Sequence, residues 1–351
     1  MNIFISGSGS ALPNIVKKNT DFAHHQFIDE EGNAFTTDTK EIIEKFCSIT
    51  GIEERRYAED HINSSDLATE AGKKAIASAK VNPEELDYII VAHNFGDTPT
   101  NSSQSIPLPS VASKVKTMLG IENPNCVAYD LLFGCPGWVE GVIQANAFIK
   151  AGMAKKCLVI GAETLSRVVD PVDRDGMIFA DGAGATIIEA SQENAGILSH
   201  KSVTYTANNE IDMLYYDYSY DKSDSTKYIK MKGRKVYEFA LSHVPKAMKE
   251  CLDASGVDIS ELKKVFIHQA NMKMDEAIIK RFYRLYRTAA PEDVLPMNIQ
   301  LHGNSSVATI PTLYDQVINH QLNDHQLNKG DIILFASVGA GMNINAITYR
   351  V

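Results

Sequence analysis

The stretch DLLFGCPGWVEG, residues 130–141, decides how this chain is read. An apolar approach (Leu131, Leu132, Phe133) runs into Gly134-Cys135-Pro136-Gly137 and then into a helix-forming segment. A strand, a tight turn and a helix in that order form the elbow on which nucleophiles are presented. Gly134 and Gly137 permit the turn. Pro136 suits the first helical position, where its missing N–H costs nothing. Cys135 would then lie at the positive end of a helix dipole, which favours thiolate. Taken alone, the stretch fits a small buried cysteine equally well.

Outward from it, strand-like and helix-like segments alternate. YIIVAHNF (88–95), CLVIGAE (157–163) and GATIIEA (184–190) are short, β-branched and bounded by Gly or polar residues, and read as buried strands. SSDLATEAGKKAIASA (64–79) reads as an amphipathic helix whose Ser64-x-x-Leu67 start lacks a capping box. GWVEGVIQANAFIKAG (137–152) reads as a second helix, closed by Gly152. After about Glu189 the rhythm restarts. VYEFALSHVPKAMKECLDA (236–254) is helical apart from Pro245, while KVFIHQA (264–270) and DIILFASV (331–338) hold strands. The expectation is an α/β protein of two similar halves, 1–189 and 190–351.

Composition narrows the function. The 351 residues are 44% hydrophobic and 22% charged, with a net charge of −10. Such an acidic chain is a poor nucleic-acid binder, because neutralising phosphates needs excess Lys and Arg. Its five cysteines (Cys47, Cys126, Cys135, Cys157, Cys251) form no C-x-x-C pair, which points to a reduced, cytoplasmic setting. MNIFISGSGSALPN at the start lacks a basic n-region, and no run of about 18 apolar residues suggests a membrane span. SGSGSALP lacks the third glycine of a dinucleotide loop, and no metal constellation is visible, so no cofactor is expected.

Three features of the second half bear on chemistry. FIHQAN places His268 at the end of an apolar strand, where open α/β sheets carry their sites. Asn304 follows a glycine in LHGNSSVATIP, and SVGAGMN offers backbone N–H groups at a Gly-rich turn. A structural histidine, a helix cap and an ordinary turn would explain each of these separately.

Cys in GCPGW, His in HQAN, Asn in GNSSVATIP and a late VGAG, in that order, make the chain resemble the β-ketoacyl-ACP synthase III family of the thiolase superfamily. TGIEERRYA (50–58), SRVVDPVDRDGMIFADGAGATIIEA (166–190) and MKGRKVYEFA (231–240) extend the likeness. The resemblance implies a thiolase fold, layered α-β-α-β-α, and a homodimer. It also implies ping-pong acyl transfer. Cys135 would carry the acyl group, and the Cys135 N–H and backbone near Ala340 would hold the oxyanion. His268 and Asn304 would bind the thioester carbonyl of malonyl-ACP as CO₂ leaves.

The sequence also departs from the pattern. The family's adenine-stacking Trp and phosphate-binding Arg fall on Lys45 and Ile49, although Arg167 matches another nucleotide-contacting Arg. An acyl-ACP primer gains weight over acyl-CoA. The loop 93–110 is longer than usual, and a carboxylate, Glu140, stands one helical turn beyond Cys135. These features suit a specialised relative that makes dialkylresorcinol- or polyketide-type products. A non-catalytic subunit is a third alternative. Lys273, Lys280, Arg284 and Arg287 fall on one helix face beside Arg281, and Lys232, Arg234 and Lys235 form a second basic group. On an acidic protein such clusters suit an acidic partner, which the resemblance makes acyl carrier protein.

Overall fold

The computed structural model describes residues 2–102, 104–322 and 324–351. The first half contains β1 (Asn2–Ala11), β2 (Ile15–Lys18), α1 (Thr39–Thr50), β3 (Glu54–Tyr57), α2 (Ser64–Ala79), β4 (Tyr88–His93) and α3 (Val111–Met118). It continues with β5 (Val127–Leu132), α4 (Gly137–Lys150), β6 (Lys156–Thr164) and β7 (Asp181–Ser191). The second half contains β8 (Gly196–Thr204), β9 (Leu214–Tyr218), β10 (Lys227–Met231), α5 (Gly233–Ser255), β11 (Leu262–Ile267) and α6 (Met272–Arg284). It ends with α7 (Ile299–His302), α8 (Thr309–Ile318), β12 (Ile332–Gly339) and β13 (Asn343–Arg350).

Two mixed sheets repeat one pattern. The first has strand order β1-β7-β6-β4-β5, and the second has β11-β12-β13-β8. In each, the hairpin-linked outer strands are antiparallel, as in β7 with β6 and β13 with β12. The pairs β6–β4 and β12–β11 are parallel. Superposing the patterns matches β1 to β8, β7 to β13, β6 to β12 and β4 to β11. Where β5 would have a counterpart, the Val265 N–H donates to Val294 O at 2.8 Å, so an irregular segment lies on that edge. The parallel strands are apolar on both faces because helices cover both. β6 and β12 are buried almost throughout.

α2 covers the first sheet from outside and α5 covers the second, while α4 and α8 lie between them. The result is the expected α-β-α-β-α stack. Trp138, 1% exposed, opens the central helix α4. Its ring meets Phe335 of β12 edge-on at 5.4 Å, and its N–H donates to Thr186 Oγ1 of β7. One side chain thus joins both sheets.

Local chemistry differs from expectation at three points. The capping box of α2 exists one residue earlier than expected, with Asn63 as cap and Asp66 answering it. α5 runs through Pro245 without ending. Pro136 is the N-cap of α4, and Gly137 is its first helical residue.

Candidate active site

Cys135 stands at the end of the β5-to-α4 turn, half-buried, with α4 starting two residues later. Close backbone approach builds this corner. A Cβ on Gly134 would lie 2.6 Å from Ala340 N, and one on Gly339 would lie 2.5 Å from Cys135 N. Only glycine fits at either place, so the Cys135 and Ala340 turns are held together. The Cys135 N–H makes no backbone hydrogen bond among the described residues. The juxtaposition is what a two-donor oxyanion hole requires.

His268 directly follows β11, its N–H bonded to Ala336 O at 2.9 Å, and is 4% exposed. Burial pushes its imidazole down to about 4, offset in part by the facing Ser306 main chain. It is therefore neutral at physiological pH. Asn304 is equally buried, and its Oδ1 accepts the Ser306 N–H at 2.8 Å. With Oδ1 occupied, the Nδ2 hydrogens are the group left to donate.

Ser306, absent from the sequence reading, is the hub of the site. Its Oγ donates to Cys135 Sγ at 3.4 Å and its N–H to Asn304, and its main chain faces His268. Ser306 holds a left-handed φ of 54°, rare for a residue with a Cβ, which marks a constrained turn. Behind it, Asn94 Nδ2 donates to Ser306 Oγ at 2.8 Å and also to Glu163. Glu163, near the end of β6, is fully buried. Burial raises its carboxyl to about 7, against the opposing pull of His93 and the Asn94 bonds. The Cys135 thiol is itself pushed up to about 11 by burial, with Ser306 pulling it down and the Glu163 charge adding to the rise. The sequence signal for Glu163 was a lone carboxylate at the carboxyl end of an apolar strand, read only as a strand boundary.

Two expected site residues serve elsewhere. Glu140 faces the second sheet, where its Oε2 accepts from Asn345 Nδ2 at 2.7 Å and from Ser202 Oγ at 2.9 Å. It ties α4 to β13 and β8. Arg167 is half-buried and already engaged. Its guanidinium donates to Asn63 Oδ1, Thr98 O and Glu59 O at 2.8 Å each, and also to Ile62 O. It clamps the segment before α2 to the loop after β4. That loop is itself anchored, since Asp97 accepts from Ser65 N–H and Oγ and pairs with Lys114. Ser103 of the long loop lies outside the described residues.

A cavity of about 1000 Å³ opens beside the His268 strand end, lined by Ala270, Asn271 and Met274 and by Lys232, Gly233, Arg234 and Lys235. Lys45 and Ile49 of α1 also line it. No stacking aromatic stands at either position. The Lys232 ammonium sits 5.3 Å over the Tyr215 ring, and Arg234 pairs with Glu238 while remaining exposed. Lys273, Lys280, Arg281 and Arg284 are exposed along α6, with Arg281 also donating to Leu241 O. Arg287 lies past the end of α6 in a left-handed turn, off the helix face expected for it. Among the described residues no group of His, Cys, Asp or Glu is arranged to hold a metal. No described helix is long and apolar enough to cross a membrane.

Comparison with known proteins agrees with this architecture. Residues 129–206 match the family described as 3-oxoacyl-[acyl-carrier-protein (ACP)] synthase III, and residues 252–351 match its C-terminal part. The chain is 33% identical over 350 residues to β-ketoacyl-[acyl-carrier-protein] synthase III of Erythrobacter litoralis, covering 99% of this chain and 98% of that one. The crystal structure of 3-oxoacyl-[acyl-carrier-protein] synthase III from Aquifex aeolicus superposes with a TM-score of 0.82 at 32% identity, covering 99% of this chain and 100% of that one. The priming β-ketosynthase of the R1128 polyketide pathway shares the fold, with a TM-score of 0.82 at 23% identity and coverage of 99% and 96%. The chain belongs to the β-ketoacyl-[acyl-carrier-protein] synthase III family, the thiolase-fold acyltransferases that condense thioesters.

Proposed function

We propose that this protein makes a β-ketoacyl thioester by decarboxylative Claisen condensation, with Cys135 as acyl carrier and His268 and Asn304 as carbonyl donors. The observation that carries this reading is the gathering of all three around Ser306. The Cys135 thiol gives up its proton as its sulfur attacks the acyl thioester, the carrier sulfur leaves and takes up that proton as a thiol, and the acyl group stays on Cys135. Malonyl-ACP then enters. His268 and Asn304 N–H groups hold its thioester oxygen, CO₂ departs, and its electron pair forms the enolate. The enolate carbon attacks the acyl-Cys carbonyl and the Cys135 thiolate is released. Neutral donors aimed at the developing charge contribute about 2.7–4 kcal/mol each in comparable sites. The low His268 pKa supports a neutral donor in that role.

The carrier arm is assigned to the cavity beside Asn271, and the acidic carrier protein to Lys273, Lys280, Arg281, Arg284, Lys232, Arg234 and Lys235 around its mouth. The absent stacking ring at Lys45 and Ile49 and the occupied Arg167 favour an ACP-bound primer over CoA. Glu140, one of the features that suggested a specialised product, is accounted for by packing. We divide the chain into functional halves at 1–189 and 190–351, a boundary that falls within the last residues of β7, just before the turn to β8. A homodimer is supported by β5, an edge strand on which Val127 and Leu132 are 47% and 74% exposed.

The test is product formation from acyl-ACP and malonyl-ACP, read by mass spectrometry. His268→Ala and Asn304→Ala are each expected to lower condensation by about 10²–10³-fold while leaving Cys135 acylation intact. Equal loss of both steps would contradict the division of roles.

A further inference from the structure

We propose that Glu163 is a positioning residue for the nucleophile: it fixes the direction of a hydrogen-bond chain whose last link is the Ser306 hydroxyl donating to the Cys135 sulfur. This rests on Cys135 being the acyl carrier, as set out above.

A fully buried carboxylate is costly unless paired. Glu163 forms no salt bridge among the described residues. Its Oε1 accepts the Asn94 N–H at 2.7 Å and the Asn94 side-chain Nδ2, and its Oε2 has no hydrogen-bond partner among the described residues. Facing it are His93 from β4, Asp181 from β7 and Cys135 itself. The carboxylate oxygen can only accept, so Asn94 must present its NH₂ edge rather than its carbonyl. That NH₂ has two hydrogens. One goes to Glu163 and the other to Ser306 Oγ at 2.8 Å. With a donor arriving at its oxygen, Ser306 has one proton to give, and the atom in reach is Cys135 Sγ. Each link therefore dictates the polarity of the next. The ionised carboxylate has no hydrogen to give, and this is the form that fixes the polarity of the chain.

Replacing Glu163 by Gln breaks this logic at constant shape. The new amide can donate to Asn94, which can then turn its carbonyl toward Ser306. The Ser306 proton follows, and Cys135 loses its donor. The negative charge that opposes the thiolate is lost as well, so the two effects must be separated.

A double-mutant cycle separates them. The pH midpoint of Cys135 alkylation by iodoacetamide is followed by peptide mass spectrometry in the native protein, Glu163→Gln, Ser306→Ala and the double variant. In the Ser306→Ala background only the charge effect remains, and Glu163→Gln should lower the midpoint. With Ser306 present, loss of the donor should cancel about half or more of that fall. Asn94→Ala, which removes the middle link, must likewise couple to Ser306→Ala. Thermal unfolding identifies any variant that misfolds, and the Asn94→Ala cycle then decides. Equal shifts in both backgrounds would overturn the proposal. Coupling without any acyl adduct from thioesters would instead overturn the role of Cys135 as acyl carrier and leave the hydrogen-bond chain standing.

Discussion

Burial of titratable groups shapes this site, and it gives a stability signature with a definite sign. Free glutamate titrates near 4.5, and Glu163 near about 7. Between those values the folded chain keeps a proton that the unfolded chain has lost, so this group's contribution falls as pH rises through the window. His268 acts oppositely: with its value depressed from 6.5 to about 4, stability falls as pH drops through that range. Glu163→Gln removes only the first effect. Its melting temperature relative to the native protein should therefore be higher at pH 8 than at pH 5, measured by calorimetry. The same difference at both pH values would contradict a raised Glu163. Cys135, His268 and Asn304 were nominated by the sequence because their motifs, ambiguous one by one, follow each other in the order the family resemblance requires. Ser306, Asn94 and Glu163 were not. Their roles come from contacts between β4, β6 and the segment before α8, which no local pattern records.

The elements themselves were readable where one physical rule dominated. α2 spans the residues its apolar spacing indicated, and β11 and β12 follow their β-branched runs. Pro245 misled, because α5 is held by packing on β8, β12 and β13, and that tertiary support outweighs one lost hydrogen bond. Arg167 has contacts that its motif position does not record. A motif position indicated a ligand contact, whereas its guanidinium is filled by three carbonyls and Asn63 among its closest partners. Arg167→Ala should therefore lower the melting temperature by several degrees, as expected for a loss of about 1–3 kcal/mol when partly buried acceptors lose their donor. The ratio of activities with CoA and ACP primers should stay unchanged. A change in that ratio with unaltered stability would restore the nucleotide role. Trp138→Ala, opening a hole between the sheets, should cost about 3–5 kcal/mol, read by chemical denaturation.

The two sheets enclose the site at their carboxyl ends, so the chemistry depends on both halves. Charge divides the outer surface in a way the composition hides. A chain of net charge −10 keeps an exposed basic face on α6, whose Met274 also lines the cavity beside Asn271. Lys280→Glu with Arg284→Glu should raise the KM for acyl-ACP about ten-fold or more at low salt, and leave a small acyl thioester unaffected. Equal losses with both substrates would place the damage in the fold. Which acyl chain is used was not legible, because pocket shape is set by packing across many segments. The central claim is that Cys135 carries the acyl group, and the intact mass of the protein after incubation with acyl-ACP, acetyl-CoA and β-ketoacyl thioesters tests it most directly. The account predicts a single acyl increment on Cys135 with acyl-ACP, lost in Cys135→Ala. No increment with any thioester, or one that persists in Cys135→Ala, would contradict it.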